Sequence, residues 1–143
     1  MRKNLLFWAF LLAVSVVNIS CSSTVQNRLA CQWNVTSYAN PFGSSLSLTT
    51  VSAGEKYTLQ FQPDGFFSFT TDCNVVSGRY SVKKNQLRFI NPASTEMACD
   101  KEMVERCIKS SLPIIVSYDL PNDSTLRLLG SQGNALIELV KIN

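Results

Sequence analysis

The 143-residue chain contains no histidine. That absence removes Ser/His/Asp and Cys/His nucleophilic catalysis, and it removes the commonest nitrogen ligand of zinc. No C-x-x-C pair compensates, so a zinc site would have to be assembled from scattered thiolates. Charge is sparse as well, at 16% of residues, with a formal net charge of +3. Setting aside Arg2 and Lys3 leaves 11 basic against 10 acidic side chains, interspersed along the chain, and so no basic footprint for nucleic acid. A phosphate-cradling loop is missing too. Gly130, Ser131, Gln132 and Gly133 join two predicted strands without the helix N-terminus that phosphate binding uses. The Ser-x-x-Lys spacing of Ser81 and Lys84 falls in a predicted hairpin, and the acidic pairs Glu102/Glu105 and Asp119/Asp123 fall on a charged helix face and a strand-turn junction, where solvated surface is the expectation. These absences predict a protein that is not an enzyme and that holds neither cofactor nor metal.

Long apolar runs are lacking after the first twenty residues. Met1 to Asn4 is basic, Leu5 to Val17 is apolar, and Ser15, Asn18 and Ser20 dilute the run before Cys21. This has the length of a signal-peptide core and falls short of the roughly 20 residues of a membrane span. Ile19, Ser20 and Cys21 are similar to the end of a bacterial lipobox, in which the cysteine is diacylated and becomes the mature N-terminus, although Asn18 stands where leucine is usual. Residues 1–20 are therefore expected to be a signal peptide and 21–30 a lipid-anchored polar tether. Residues 31–143 form one domain of ordinary size, expected to be monomeric.

Cys31, Cys73, Cys99 and Cys107 remain, an even number in a chain bound for an oxidising compartment, which reads as two disulfides. Asp100 to Leu112 has the pattern of an amphipathic helix, with Met103, Val104, Cys107, Ile108 and Leu112 on one face, Lys101, Glu102, Glu105, Arg106 and Lys109 on the other, and Asp100 as N-cap. At 1.5 Å per residue Cys99 and Cys107 would lie about 12 Å apart, too far to pair. Cys73–Cys99 with Cys31–Cys107 is the favoured connectivity, and the swapped pairing remains open.

Elsewhere the period is two. Cys31, Trp33 and Val35 alternate with polar residues, as do Tyr57, Leu59 and Phe61. Pro63, Asp64 and Gly65 supply turn chemistry before Phe66 to Thr71. Gly78–Lys83, Leu87–Ile90, Ile114–Leu120, Thr125–Leu129 and Leu136–Ile142 complete about eight short strands. The expected fold is mainly β (α+β): a curved antiparallel sheet or small, partly open barrel with one amphipathic helix inserted after residue 99. Asn40 to Ser45 is the substantial irregular loop, where loop-borne function would lie.

Trp33, Phe61 with Asp64 and Gly65, the Cys73-Asn74 pair followed by Gly78 and Tyr80, Leu87, and Thr95-x-Met97-Ala98-Cys99 ahead of a helix together resemble the META domain of HslJ-type envelope proteins. The resemblance runs over most of residues 31–142. Glu96 stands where the family usually has arginine, and Asp72 where it commonly has glycine. The resemblance implies a mainly β fold, frequent lipoprotein anchoring and links to envelope stress or adaptation, with no established catalytic residue. For the motif residues themselves a structural role is expected: Asn74 in a left-handed turn, Gly78 at a bend, and Cys73 and Cys99 stapled together. The expected function is a non-enzymatic module in the bacterial envelope, in the periplasm or at the outer membrane, that binds another envelope component through loops or a sheet edge. Two alternatives are a lipocalin-like binder of a small apolar ligand, which requires that Trp33, Phe61, Phe67, Phe69 and Tyr80 leave the interior open, and an exported inhibitor of a cell-wall hydrolase with a protruding loop.

Overall fold

The computed structural model describes residues 28–98 and 102–143. The expected signal peptide, Cys21 and most of the tether lie outside them, as do Cys99, Asp100 and Lys101. The described residues contain nine strands: β1 (Gln32–Ala39), β2 (Leu48–Thr50), β3 (Thr58–Phe61), β4 (Phe66–Thr70), β5 (Val75–Lys83), β6 (Gln86–Ser94), β7 (Ser117–Asn122), β8 (Thr125–Leu129) and β9 (Ala135–Lys141). Helix α1 (Glu102–Ser111) joins β6 to β7 and runs on into a 3-10 turn at Leu112–Ile114.

Every pairing is antiparallel, in the order β1-β3-β4-β5-β6-β7-β8-β9, and β9 returns to β1 with Trp33 opposite Lys141 and Tyr38 opposite Ile137. Eight strands therefore close into a barrel, which removes most of the exposed sheet edge. β2 stays outside the closure and pairs only with the second half of β1, Ser37 opposite Thr50 and Ala39 opposite Leu48. The seam between β6 and β7 is the weakest, since one residue pair, Gln86 with Ser117, holds it. The mainly β, barrel-like fold with one inserted helix agrees with the sequence reading.

Alternation decides which side chains fill the interior. Trp33, Val35, Leu59, Phe61, Phe67, Phe69, Val76, Tyr80, Leu87 and Phe89 point inward from successive strands and are buried. The Phe61 ring meets Tyr80 edge-on at 4.8 Å between centroids, and Phe67 meets Phe89 likewise at 4.7 Å. The aromatic side chains thus occupy the interior that a lipocalin-like ligand would need, which removes the observation that favoured that alternative. The last residues of the expected tether already pack on the barrel: Leu29 is fully buried and its carbonyl accepts the Trp33 indole N–H at 3.1 Å.

Several boundaries differ from expectation for physical reasons. β6 continues through Pro92 to Ser94, because Asn91 adopts a left-handed conformation (φ 48°) that absorbs an extra residue opposite the shift in register between Ser77 and Arg79. Ile114 belongs to the 3-10 turn rather than to β7, and Pro121 lies inside β7 at an irregularity opposite β8. β2 was missed because its one leucine, Leu48, and its two threonines face solvent and give no core signal.

Candidate functional site

Antiparallel order gives the barrel two poles. The described chain enters at the lower one, which also carries the β3–β4, β5–β6 and β7–β8 turns. The upper pole carries the Asn40–Ser47 loop, the β4–β5 turn, the segment after β6, helix α1 and the β8–β9 turn.

The family motif positions divide between the poles. At the lower one, Asp64 Oδ1 accepts the backbone N–H of Phe66 at 3.2 Å, and Gly65 takes the positive φ of 88° that closes the turn. Tyr80 clamps the same turn, its hydroxyl donating to the Gln62 carbonyl at 2.7 Å and its backbone N–H donating to that of Gly65 at 2.9 Å. Trp33, Asp64, Gly65 and Tyr80 thus hold the barrel's lower rim. Gly78, in the wall, has room for no side chain, as an added Cβ would lie 2.9 Å from the Ile90 carbonyl oxygen.

At the upper pole the two most specific motif elements meet around one amide. Asn74 Nδ2 donates to Glu105 Oε1 at 2.9 Å and to the Met97 carbonyl at 3.0 Å, while Asn74 Oδ1 accepts Thr95 Oγ1 at 2.9 Å and the Met97 backbone N–H at 2.8 Å. Thr71 Oγ1 donates to Glu105 Oε2 at 2.6 Å. Lys109 completes the cluster, its Nζ 3.7 Å from Glu105 Oε1 one helical turn along. Asn74 is not in a left-handed turn, contrary to expectation; its place is decided by the amide, which offers both donors and an acceptor at once. Glu105 corrects a second expectation, since it is 7% exposed and its carboxylate fastens α1 to the β4–β5 turn. A helix-face periodicity that groups Glu105 with Lys101, Glu102, Arg106 and Lys109 cannot distinguish it from solvated neighbours.

The cysteines also depart from expectation. Cys73 is disulfide-bonded, and its partner lies outside the described residues. Cys31 and Cys107 carry free thiols, so the expected Cys31–Cys107 bridge does not form. The reason is strand geometry: Cys31 precedes β1 at the lower pole, whereas Cys107 Sγ lies 3.7 Å from Asn40 Oδ1 just past its upper end. A strand of that length separates them by roughly 25 Å at about 3.3 Å per residue. We expect denatured, unreduced protein to take up alkylating reagent on both Cys31 and Cys107 while Cys73 becomes reactive only after reduction. Peptide mapping that found Cys31 and Cys107 joined would contradict the fold described here.

Beside the cluster, at the upper pole, Tyr57 is fully buried and its hydroxyl lies 3.1 Å from Asp72 Oδ2 and 3.3 Å from Glu55 Oε2. Burial, then the Asp72 carboxylate, push this phenol well above its ordinary value of 10.0, and burial raises Tyr38 and Tyr118 and the thiols of Cys31 and Cys107 as well. A folded pKa above the unfolded one gives stability that is complete at lower pH and is lost as pH rises past the unfolded value. The melting temperature should therefore hold level from pH 6 to 8 and fall above about pH 9, with a shallower fall in Tyr57→Phe. An equally steep alkaline fall in that variant would show that the phenol contributes nothing.

What the upper pole presents outward is a groove of about 390 Å³ between the segment after β6 and α1, lined by Asn74, Glu96, Met97, Ala98, Glu105, Arg106 and Lys109. Arg106 spans from this groove to the neighbouring loop, its guanidinium 5.1 Å from the centre of the Phe42 ring. Phe42 is 56% exposed and Met97 64%, so two large apolar side chains flank a polar groove. The groove carries hydrogen-bonding and charged groups of both signs. Among the described residues no three metal-ligating side chains come together, and no helix is long and apolar enough to cross a membrane.

Two solved structures share the fold. An NMR structure of a protein from Burkholderia xenovorans superposes with a TM-score of 0.64 at 18% identity, covering 85% of this chain and 88% of that one. The crystal structure of a DUF4847 family protein from Bacteroides vulgatus ATCC 8482 gives a TM-score of 0.57 at 11% identity, covering 84% of this chain and 99% of that one. No curated protein is similar enough in sequence to lend the chain a function. The META domain family profile matches residues 32–141, the span that holds both the lower clamp and the Asn74 cluster, and the chain belongs to the META domain family.

Proposed function

We propose that this META domain is a non-enzymatic interaction module of the bacterial envelope, anchored through a diacylated Cys21 and binding a protein partner with its upper pole. The observation that carries the reading is polarity: the described chain enters the barrel at Arg28 on the lower pole, while the groove and the exposed Phe42 loop lie at the opposite end. An anchor at Cys21 followed by a short tether would hold the lower pole towards the membrane and turn the upper pole away from it. The barrel interior is filled by side chains, and Glu105 is engaged in holding α1. The link to envelope stress or adaptation rests on the family resemblance; the pairing of Cys73 with Cys99 rests on the cysteine count and on the free thiols of Cys31 and Cys107, and would tie the wall of the groove to the β4–β5 turn.

The test is chemical cross-linking in the native envelope, comparing the wild-type protein with Cys21→Ser and with Phe42→Asp. We expect one or more envelope proteins to be captured by the wild type, and capture to be lost in Phe42→Asp although that variant melts normally. We also expect Cys21→Ser to appear in the soluble envelope fraction. Undiminished capture by Phe42→Asp would rule out the upper pole, and Cys21→Ser remaining membrane-bound would rule out the anchor.

A further inference from the structure

The upper pole continues into a feature the groove does not use. β2 pairs with β1 along one edge, and among the described residues no strand pairs with the other. Proteins usually protect such an edge by keeping the strand very short or with charge, proline or a bulge, and of these devices β2 has only its shortness, at three residues. Here no residue from Ala39 to Gly54 is charged, and Pro41 lies before the strand rather than in it. All three residues of β2 are exposed. Val51 turns inward and packs against the core, while Leu46 and Leu48 face outward at 48% and 37% exposure.

The register fixes which backbone groups are open. The N–H of Val51 donates to the Thr36 carbonyl at 2.9 Å, so Val51 and, two residues away, Thr49 direct their backbone groups towards β1. Leu48 and Thr50 then direct theirs outward. By contrast β6, whose upper half also lacks a strand partner, carries Arg88, Pro92 and the Asn91 bulge and is protected in the usual way.

We infer that β2 is a docking edge for an extended, uncharged segment of a partner protein, which adds to the sheet as an extra strand and sets apolar side chains beside Leu46 and Leu48. The absence of charge over sixteen residues favours a partner segment equally free of charge, because an unpaired charge laid against this edge would lose hydration without compensation. The extent of the edge argues against a permanent dimer of this chain. The three residues of β2 span about 10 Å, far less surface than the roughly 800 Å² per partner of a stable interface. This inference rests on the interaction-module reading and names the partner's chemistry.

The test pans a phage-displayed library of random dodecapeptides against the immobilised full-length mature protein. Leu48→Pro and Thr50→Pro each delete an outward N–H without touching the β1–β2 hydrogen bonds, and Leu48→Lys serves if the prolines disturb folding. We expect uncharged peptides rich in β-branched residues, bound at least ten-fold more weakly by all three variants, and amide protection at Leu48 and Thr50 when peptide is added. Peptides that bind the variants equally well but are lost in Arg106→Glu/Lys109→Glu would overturn strand addition while leaving the upper pole as the binding surface. Failure to enrich any peptide would overturn strand addition, and the capture experiment would then decide separately whether the domain binds a protein at all. A concentration-dependent dimer that Leu48→Pro abolishes would overturn the inference in favour of a second copy.

Discussion

Replacing Asn74 with alanine should cost about 3–5 kcal/mol, because it takes one donor from the buried Glu105 carboxylate, leaving Thr71 and Lys109 beside it, and breaks the bonds of the same amide to Thr95 and Met97. The same change removes the acceptor that the Met97 backbone N–H and the Thr95 hydroxyl share, so the segment lining the groove is held less firmly, through the bonds between Thr95 and Val75. Chemical denaturation with far-ultraviolet circular dichroism measures the loss. The Glu105→Gln background gives the coupling: with the charge gone, Asn74→Ala should cost only about 1–2 kcal/mol. Asn74→Asp adds a sharper signature. It sets a second carboxylate within hydrogen-bonding distance of Glu105, so it should destabilise more than Asn74→Ala does, and Glu105→Gln should recover most of the difference. An Asn74→Ala protein within about 1 kcal/mol of wild type would mean that the carboxylate is solvated and the cluster dispensable.

Gly78→Ala should be nearly as damaging, at about 3 kcal/mol, for a steric reason with no electrostatic component. The new Cβ would lie 2.9 Å from the Ile90 carbonyl oxygen, 3.0 Å from that of Asn91 and 3.0 Å from the Phe67 ring. Two of these are backbone atoms in a bulge already fixed by the left-handed Asn91, so the neighbours cannot give way without breaking the β5–β6 ladder. Gly43→Ala is the control. Its added Cβ meets nothing closer than 3.5 Å, and its stability should change by less than about 1 kcal/mol. Equal melting temperatures for the two variants would mean that the β5–β6 bulge relaxes easily.

The contrast between these two sites shows what a sequence can and cannot convey. Strand alternation at Trp33/Val35, Leu59/Phe61 and Leu126/Leu128 reports burial directly, since the side chains that pack are the apolar ones. The helix was legible for the same reason, through Val104, Cys107 and Ile108. Glu105 was not, because a carboxylate that is buried and bonded has the same identity and the same helical position as one in water; only its distance to Asn74, thirty-one residues earlier, separates the two cases. Cys31 and Cys107 failed in the opposite direction. Parity and compartment favoured a bridge, and the length of β1 between them forbids it. Asp64 and Gly65 were legible as turn residues, whereas Tyr80, Asn74, Thr95 and Met97 were identified by resemblance alone, and the structure supplies their reason, a clamp on the turn below and a shared amide above.

Closure of the barrel between its first and last strands has a consequence for biogenesis. Trp33 finds its partner Lys141 only when nearly the whole chain is present, so β1 emerges from the ribosome and from any export channel long before β9 exists to receive it. Nascent chains stalled before residue 135 would keep one edge of β1 and the inward faces of Trp33 and Val35 uncovered, a substrate for holding chaperones. Were the domain exported as proposed, the barrel could close only after the C-terminal strand had crossed, which would couple maturation of the domain to completion of its transport.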